Sequence, residues 1–179
     1  MAVILMSGIW GCGSPFLYEK YVSKDPLLNV TMDKIAGWTA RETRGAGSSY
    51  AQVSFLAPDA IKEAVISLTV KDAAHLGTKD DLEAAAADIL ARREKFSGFK
   101  LDKRAQGFWL GQPAVVLDMT YMAILSMSHN VPLVAAHEKL LIGRVKGNFY
   151  FFRYQNAAGA FAQFAGAFDH MIKSARSKD

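Results

Sequence analysis

Histidine is the side chain best suited to acid–base catalysis or metal binding near neutral pH, and this sequence places its four histidines far apart. No two have the four-residue separation with an intervening glutamate that is typical of a zinc-binding helix. His129 and His137 flank one predicted hairpin and could approach each other across it. Glu138 is a poor third ligand, because consecutive strand residues point to opposite faces. The sequence predicts no metal site, and it predicts surface or hydrogen-bonded roles for His75, His129, His137 and His170.

Ser126, Ser128 and His129 could suggest nucleophilic catalysis. The glycine-flanked elbow around a serine nucleophile is missing from the sequence, and no acidic residue is placed to orient the histidine. The glycine-containing segment 45–49 lacks the lysine followed by serine or threonine that defines a phosphate-binding loop. We therefore predict that the protein is not an enzyme, with no catalytic residue, no cofactor and no small-molecule substrate.

The net charge gives no sign of nucleic-acid binding. Lysine and arginine number 21 and aspartate and glutamate 17, which gives a formal charge of +4. The densest basic stretch, from Arg92 to Arg104, is interrupted by Glu94 and Asp102 and is typical of a solvated helix end. Nucleic-acid binders usually concentrate basic residues on one face, and no such stripe is visible here.

The only cysteine follows an uncharged, apolar segment. The apolar run begins at Ala2 and is interrupted by Gly8 and Pro15, so it is shorter than the roughly 20 residues that span a bilayer. With one cysteine, no disulfide can form within the chain. The position of Cys12 directly after a short apolar run is instead typical of an export signal.

The residues around Cys12 resemble the lipobox of bacterial lipoproteins, in which the cysteine receives acyl chains. Ile9 and Gly11 fit that pattern, whereas Trp10 does not, and no lysine or arginine precedes the apolar run. The alternative is a cysteine that stands by chance beside an apolar N-terminal strand. On the lipobox interpretation, the chain divides into a signal-like segment, a turn-rich tether and a folded domain, at residues 1–12, 13–26 and 27–179.

Alternating apolar and polar residues predict strands in the folded domain. Residues 50–56 and 64–71 alternate most clearly, and their predicted inward-facing side chains are Ala51, Val53, Phe55, Ile66, Leu68 and Val70. Residues 41–49 contain two glycines and are predicted to form a loop. Further strands are predicted at residues 99–110, 114–125, 134–145 and 149–154, with a tight turn at 146–148.

Two helices complete the pattern. The first is predicted from Thr78 to Phe96, with a capping box formed by Thr78 and Asp81 and with Gly98 beyond its end. The second is predicted to be capped by Asn156 and to bury a stripe of Phe161, Phe164, Phe168, Met171 and Ile172. The order of elements favours an α+β fold, in which an antiparallel sheet of about six or seven strands packs against a mid-chain helix and a C-terminal helix.

Several of these features together resemble the PsbP/DcrB-like superfamily, over roughly Asn29 to Arg176. They are Gly37–Trp38, Phe55–Pro58, Ala64–Lys71, Leu110–Ala114, Tyr150–Tyr154, and the closing Phe161, Phe168 and Met171–Ser174. The superfamily includes photosystem II extrinsic subunits, DcrB-type bacterial lipoproteins, chaperones of type VI secretion effectors and a Ran-binding nuclear transport factor. The resemblance implies a binding or assembly module without catalysis, and it carries over no functional residue.

The predicted hairpin from Met119 to Ala136 is the best candidate for a partner-binding surface. It has no charged residue when its histidine is neutral, and its candidate contact residues are Met122, Leu125, Met127, Val131 and Leu133. The alternative is that these side chains fill the core. We expect a lipid-anchored cell-envelope module that binds a protein partner, or else a cytosolic chaperone or adaptor that shields apolar segments of a secreted partner.

Overall fold

A seven-stranded antiparallel sheet forms the centre of the protein. The computed structural model describes residues 15–45, 49–58, 64–72, 81–125 and 132–178. Strand order in the sheet is β3-β4-β5-β9-β8-β7-β6. Its members are β3 (Thr39–Arg44), β4 (Tyr50–Leu56), β5 (Val65–Asp72), β6 (Lys100–Trp109), β7 (Gln112–Ala123), β8 (Val134–Val145) and β9 (Asn148–Ala157).

A small three-stranded sheet and two helices pack around this large sheet. The small sheet has the order β1-β2-β10 and joins the two ends of the described chain. Its strands are β1 (Tyr18–Val22), β2 (Val30–Ile35) and β10 (Arg176–Ser177), and the helices are α1 (Leu82–Arg93) and α2 (Ala162–Ser174). The predicted fold class and the positions of the two helices are confirmed.

One face of the large sheet is covered by α2 and the small sheet. The alternation predicted for β4 and β5 is confirmed, because every predicted inward-facing side chain is buried on this face. Phe164 and Phe168 of α2 are 1% and 0% exposed, and Phe168 contacts Phe152 edge to face with ring centroids 5.0 Å apart. Trp109 joins the same core and donates a hydrogen bond from Nε1 to the Ile172 carbonyl oxygen at 3.2 Å.

The opposite face is covered by α1, which contacts β7 and β8. Ala85 and Ala86 of the helix pack against Leu117, Met119 and Leu140 of these strands. Small alanines let the helix lie close to the sheet. Because α1 lies over this half only, none of the described helices covers the β4, β5 and β9 side of the same face.

Four local predictions are wrong, each at an element boundary. Residues 41–44 of the predicted loop belong to strand β3, and residues 18–22 of the predicted tether form strand β1. The first helix ends at Arg93 and not at Phe96, and the Phe96 side chain is 43% exposed. Asn156 does not cap α2, because it lies in β9 and its side-chain amide donates to the Ala160 carbonyl oxygen at 3.3 Å.

The helix caps and turns follow local chemistry. Asp81 caps α1 by accepting a hydrogen bond from the backbone N–H of Glu83 at 2.9 Å, while the predicted capping partner Thr78 lies outside the described residues. The predicted turn between β8 and β9 is confirmed at Lys146 and Gly147, whose φ angles are 50° and 82°. Paired left-handed residues match the twist of the flanking strands. Within the described ranges, no helix combines the length and hydropathy needed to cross a bilayer.

Candidate ligand cavity and charged network

A cavity of about 430 Å³ lies beside α1, on the part of the sheet that the helix leaves open. Small-molecule sites commonly have volumes of about 300 to 1,000 Å³. Its charged lining residues are Lys71, Arg93, Glu138 and Arg153, and its uncharged polar ones are Gln52, Ser67 and Thr69. Its apolar and aromatic lining residues are Tyr50, Ile89, Leu140 and Phe151.

Strand register brings these side chains together. Gln52 of β4 pairs with Thr69 of β5, and Thr69 pairs in turn with Phe151 of β9. Ser67 of β5 pairs with Arg153 of β9. Directly opposed residues in antiparallel strands share a face, so the polar residues of β5 lie beside Phe151 and Arg153.

Glu138 is the acidic residue among the described lining residues of the cavity, and both oxygens of its carboxylate accept hydrogen bonds. The side chain is 0% exposed and accepts two hydrogen bonds from Arg93, at 3.0 Å from Nε and 3.1 Å from Nη2. The Tyr121 hydroxyl also donates to Glu138, and Gln155 Nε2 donates to the Tyr121 oxygen at 2.9 Å. This geometry satisfies a carboxylate that would otherwise be costly to bury.

Electrostatics keep Tyr121 in its protonated form within this network. Burial raises the pKa of the Tyr121 hydroxyl far above its ordinary value, and the charge of Glu138 raises it further. The Tyr121 ring also stacks on Phe96 with centroids 5.2 Å apart, and the Arg93 guanidinium lies 5.5 Å from the Tyr121 centroid. The network is therefore a fixed hydrogen-bond donor set around one carboxylate.

The other two charged side chains of the cavity, Lys71 and Arg153, are cations without an acidic partner among the described residues. Lys71 Nζ lies 5.5 Å from the ring centroid of Phe151. Arg153 Nε is buried and makes no hydrogen bond within the described part of the chain. Since Arg93 neutralises Glu138, the described lining residues give the cavity an excess of positive charge.

The residues predicted for partner binding that the structure describes lie outside the cavity. Met122 and Leu125 are partly buried, and Leu133 is 58% exposed. Met127 and Val131 lie outside the described residues, as does the predicted acylation site at Cys12. Met122, Leu125 and Leu133 are not among the residues that line the cavity.

The histidines have structural partners where they are described. His170 Nε2 lies 3.1 Å from Asp33 Oδ2, and its ring stacks on Tyr18. His137 lies on the face of β8 opposite Glu138, as predicted, and stacks on Phe161 with ring centroids 3.7 Å apart. His75 and His129 lie outside the described residues.

One group of side chains has the spacing of metal ligands. Ligand atoms of Asp102, Asp118 and His137, on strands β6, β7 and β8, lie within 4.8 Å of one another. These atoms already have partners, because His137 contacts Asp118 and Lys100 pairs with Asp102. The hydrogen bond from Lys100 lowers the pKa of Asp102 below its ordinary value. We assign the group to cross-strand pairing.

Sequence reasoning missed both the cavity and this group. Lys71 and Arg153 lie far apart in the chain and become neighbours only when β5 pairs with β9. One signal was present, because Arg153 is the single charge in the aromatic run 150–154 and alternates with Phe152 and Tyr154. A charged position opposite a buried aromatic face indicates that the second face of the strand has a separate role.

Comparison with known proteins identifies the fold. No family sequence profile matches the chain, and no curated protein matches it by sequence. Similar solved structures include cyanobacterial PsbP (CyanoP) from Synechocystis sp. PCC 6803, at a TM-score of 0.59 and 15% identity over 94% of this chain and 98% of that one. The Saccharomyces cerevisiae Ran-binding protein Mog1p matches at a TM-score of 0.57 and 9% identity, over 92% and 97%.

A third structure, LpqN of Mycobacterium tuberculosis, matches at a TM-score of 0.50 and 13% identity, over 90% of this chain and 91% of that one. It is described as involved in cell envelope biogenesis. The chain has the PsbP/DcrB-like fold, as its sequence features indicated. At these identities the likeness concerns the fold alone.

Proposed function

We propose that this protein is a lipid-anchored binding or assembly module of the cell envelope, without catalytic activity of its own. The observation that carries the proposal is the charge arrangement of the cavity. Glu138, its one acid among the described residues, already accepts hydrogen bonds from Arg93 and Tyr121. The remaining groups are cations, hydroxyls and an amide, which can hold a ligand but supply no general base at neutral pH.

The location rests on two further observations. Ile9, Gly11 and Cys12 resemble a lipobox, and an acylated cysteine would anchor the domain to a membrane. The similarly folded LpqN is described as involved in cell envelope biogenesis. A binding role also suits a fold whose solved examples include a protein described as Ran-binding.

Fractionation of cells that carry Cys12→Ser tests the anchor. We expect the wild-type protein to sediment with membranes and the variant to appear in the soluble fraction. Ser14→Ala, two residues away, is the matched control and should remain with membranes. The proposal fails if Cys12→Ser still sediments and resists a carbonate wash, or if mass spectrometry of the wild-type protein finds an intact Met1 and an unmodified thiol.

A second candidate function is a cytosolic chaperone or adaptor for apolar segments of a secreted partner. It is favoured by Ile124 and Leu133, which follow β7 and precede β8 and are 61% and 58% exposed. Large apolar side chains in water are typical of protein contact sites. The Ile124→Ser and Leu133→Ser double variant should lose the ability to suppress aggregation of an apolar peptide if this function is correct, whereas Cys12→Ser should retain it.

A further inference from the structure

The unpaired cations of the cavity point to a particular ligand chemistry. We infer that the cavity beside α1 binds a small organic anion, a carboxylate or phosphate attached to an apolar body. This inference rests on the proposed binding role and names its ligand class, but it does not depend on the lipid anchor.

Arg153 supplies the main reason for an anion. Its Nε is buried and has no acceptor among the described residues, although buried N–H groups are nearly always hydrogen-bonded. The Arg153 side chain lines the cavity, so a carboxylate or phosphate bound there could form a charge-assisted hydrogen bond with its guanidinium, which is stronger than one between neutral groups. Ser67 lies opposite Arg153 in the strand register, so a hydroxyl stands beside the guanidinium.

Lys71 places a second cation near the same point. Along β5 it lies four residues from Ser67, or about 13 Å at the strand rise of about 3.3 Å per residue. Its ammonium leans back over Phe151, which is two residues from Arg153. The anionic group therefore fits above Thr69 and Phe151, between the two cations.

Thr69 and Gln52 would orient the anionic group. The Thr69 hydroxyl donates to Gln52 Oε1 at 3.3 Å, and the Gln52 amide donates to the Ser54 hydroxyl at 2.9 Å. These links fix both side chains on the cavity floor. Glu138 of β8 does not repel an anion, because Arg93 at the end of α1 neutralises its charge.

The rest of the cavity selects an apolar body. Ile89, Leu140 and Phe151 form a wall beside the cations, and Tyr50 lies at the edge with 42% of its surface exposed. Burial of apolar surface drives binding in proportion to the area removed from water. A cavity volume of about 430 Å³ suits a small molecule and is too small for a polymer.

Titration calorimetry of the full-length chain with octanoate, octyl phosphate, inorganic phosphate and uncharged 1-octanol tests the inference. We expect one molecule of octanoate or octyl phosphate to bind per chain, more weakly as salt concentration rises. The better of the two identifies the head group. Inorganic phosphate and octanol should each bind at least about tenfold more weakly, because each lacks half of the recognised chemistry.

Variants locate the binding site. Arg153→Gln and Lys71→Gln should each weaken binding of the preferred octyl probe by about tenfold or more, whereas Arg153→Lys should keep part of it. Arg104→Gln removes the same charge from β6 at the sheet edge and is the matched control, with no change expected. Circular dichroism checks the fold, and Lys71→Gln remains a valid test if the Arg153 variants unfold.

The inference is overturned if neither octyl anion binds, if octanol binds as well as they do, or if Arg104→Gln weakens binding as much as Arg153→Gln. Equal binding of inorganic phosphate and octyl phosphate would also overturn it, because the apolar wall would then have no role. These results leave the fractionation of Cys12→Ser unaffected, so the failure of this inference is distinguishable from failure of the anchor.

Discussion

The two faces of the large sheet are covered in different ways, although the same strands supply both. Beneath α2 the contacts are aromatic and continuous, as between Phe152 and Phe168. Beneath and beside α1 the face contains a buried ion pair, Arg93 with Glu138, and an open polar cavity. One strand, β9, therefore directs Phe152 into a core and the adjacent Arg153 into a candidate site.

Removing an aromatic ring from the α2 face should have the largest effect on stability. Phe168→Ala is expected to lower the free energy of unfolding by about 3–5 kcal/mol, because Phe168 is fully buried and the truncation leaves a cavity. Urea denaturation at neutral pH measures the change. A loss below about 1 kcal/mol would contradict the description of this face as a tightly packed core.

Breaking the ion pair on the α1 face should have the next largest effect. Glu138→Gln leaves the Arg93 guanidinium without its counterion and weakens hydrogen bonds to a charged group, which contribute about 1.5–3 kcal/mol each. We expect a loss of about 2–3 kcal/mol by urea denaturation.

The double variant Arg93→Met with Glu138→Leu sharpens this result. Replacing both partners of a buried ion pair by apolar residues is often neutral, so it should be more stable than Glu138→Gln alone. If the double variant is the less stable of the two, the charge pair itself contributes stability to this face. The contributions of the two faces to stability would then be more alike than their composition suggests.

A smaller, pH-dependent effect is expected at the edge of the α2 face. Burial raises the pKa of Glu42, but hydrogen bonds from the Lys24 backbone, the Tyr21 hydroxyl and the Asp25 backbone outweigh it and lower the pKa. Because the folded protein holds Glu42 ionised, its contribution is present above the ordinary pKa and is lost as pH falls through the lowered value.

Glu42→Gln should therefore be less stable than the wild type at pH 7, and the difference should shrink below about pH 4.3. Paired urea denaturation curves at pH 7 and pH 3 measure it. Glu94→Gln, which changes an exposed carboxylate, is the control. A difference that stays constant between the two pH values would show that the Glu42 carboxylate adds nothing through its charge.

The smallest effect is expected where a large side chain faces water. Phe108 of β6 is 80% exposed, so Phe108→Ala should change the free energy of unfolding by less than about 0.5 kcal/mol. Thermal unfolding followed by circular dichroism is sufficient to compare it with Phe168→Ala. A large loss of stability in Phe108→Ala would mean that this side chain on the edge strand makes packing contacts in the folded protein.

The sequence was sufficient to predict the apolar half of this fold. Ile66, Leu68 and Val70 alternate with polar residues, and the stripe of α2 repeats at three and four residues, so local periodicity specifies both. Strand β3 was not predictable in the same way. Its run from Thr39 to Arg44 has charged residues on both faces, and only pairing with β4 makes it a strand.

The candidate site was less predictable than the fold. Polar residues such as Thr69 and Lys71 are predicted to face water, and nothing local distinguishes a solvated face from a cavity floor. What distinguishes them is the length and position of α1, which stops at Arg93 over β7 and β8. Position across a sheet depends on long-range pairing, and single-sequence patterns do not encode it.

The pairing of β5 with β9 has a consequence for folding kinetics. The strands on either side of this seam form two local meanders, β3 to β5 and β6 to β9, each closed by short sequence separations. The seam itself joins residues roughly 80 positions apart. Bringing them together costs the entropy of closing that long loop before the contacts between β5 and β9 can compensate. We expect each meander to collapse early and their docking to limit the folding rate, so that the cavity at the seam is completed late.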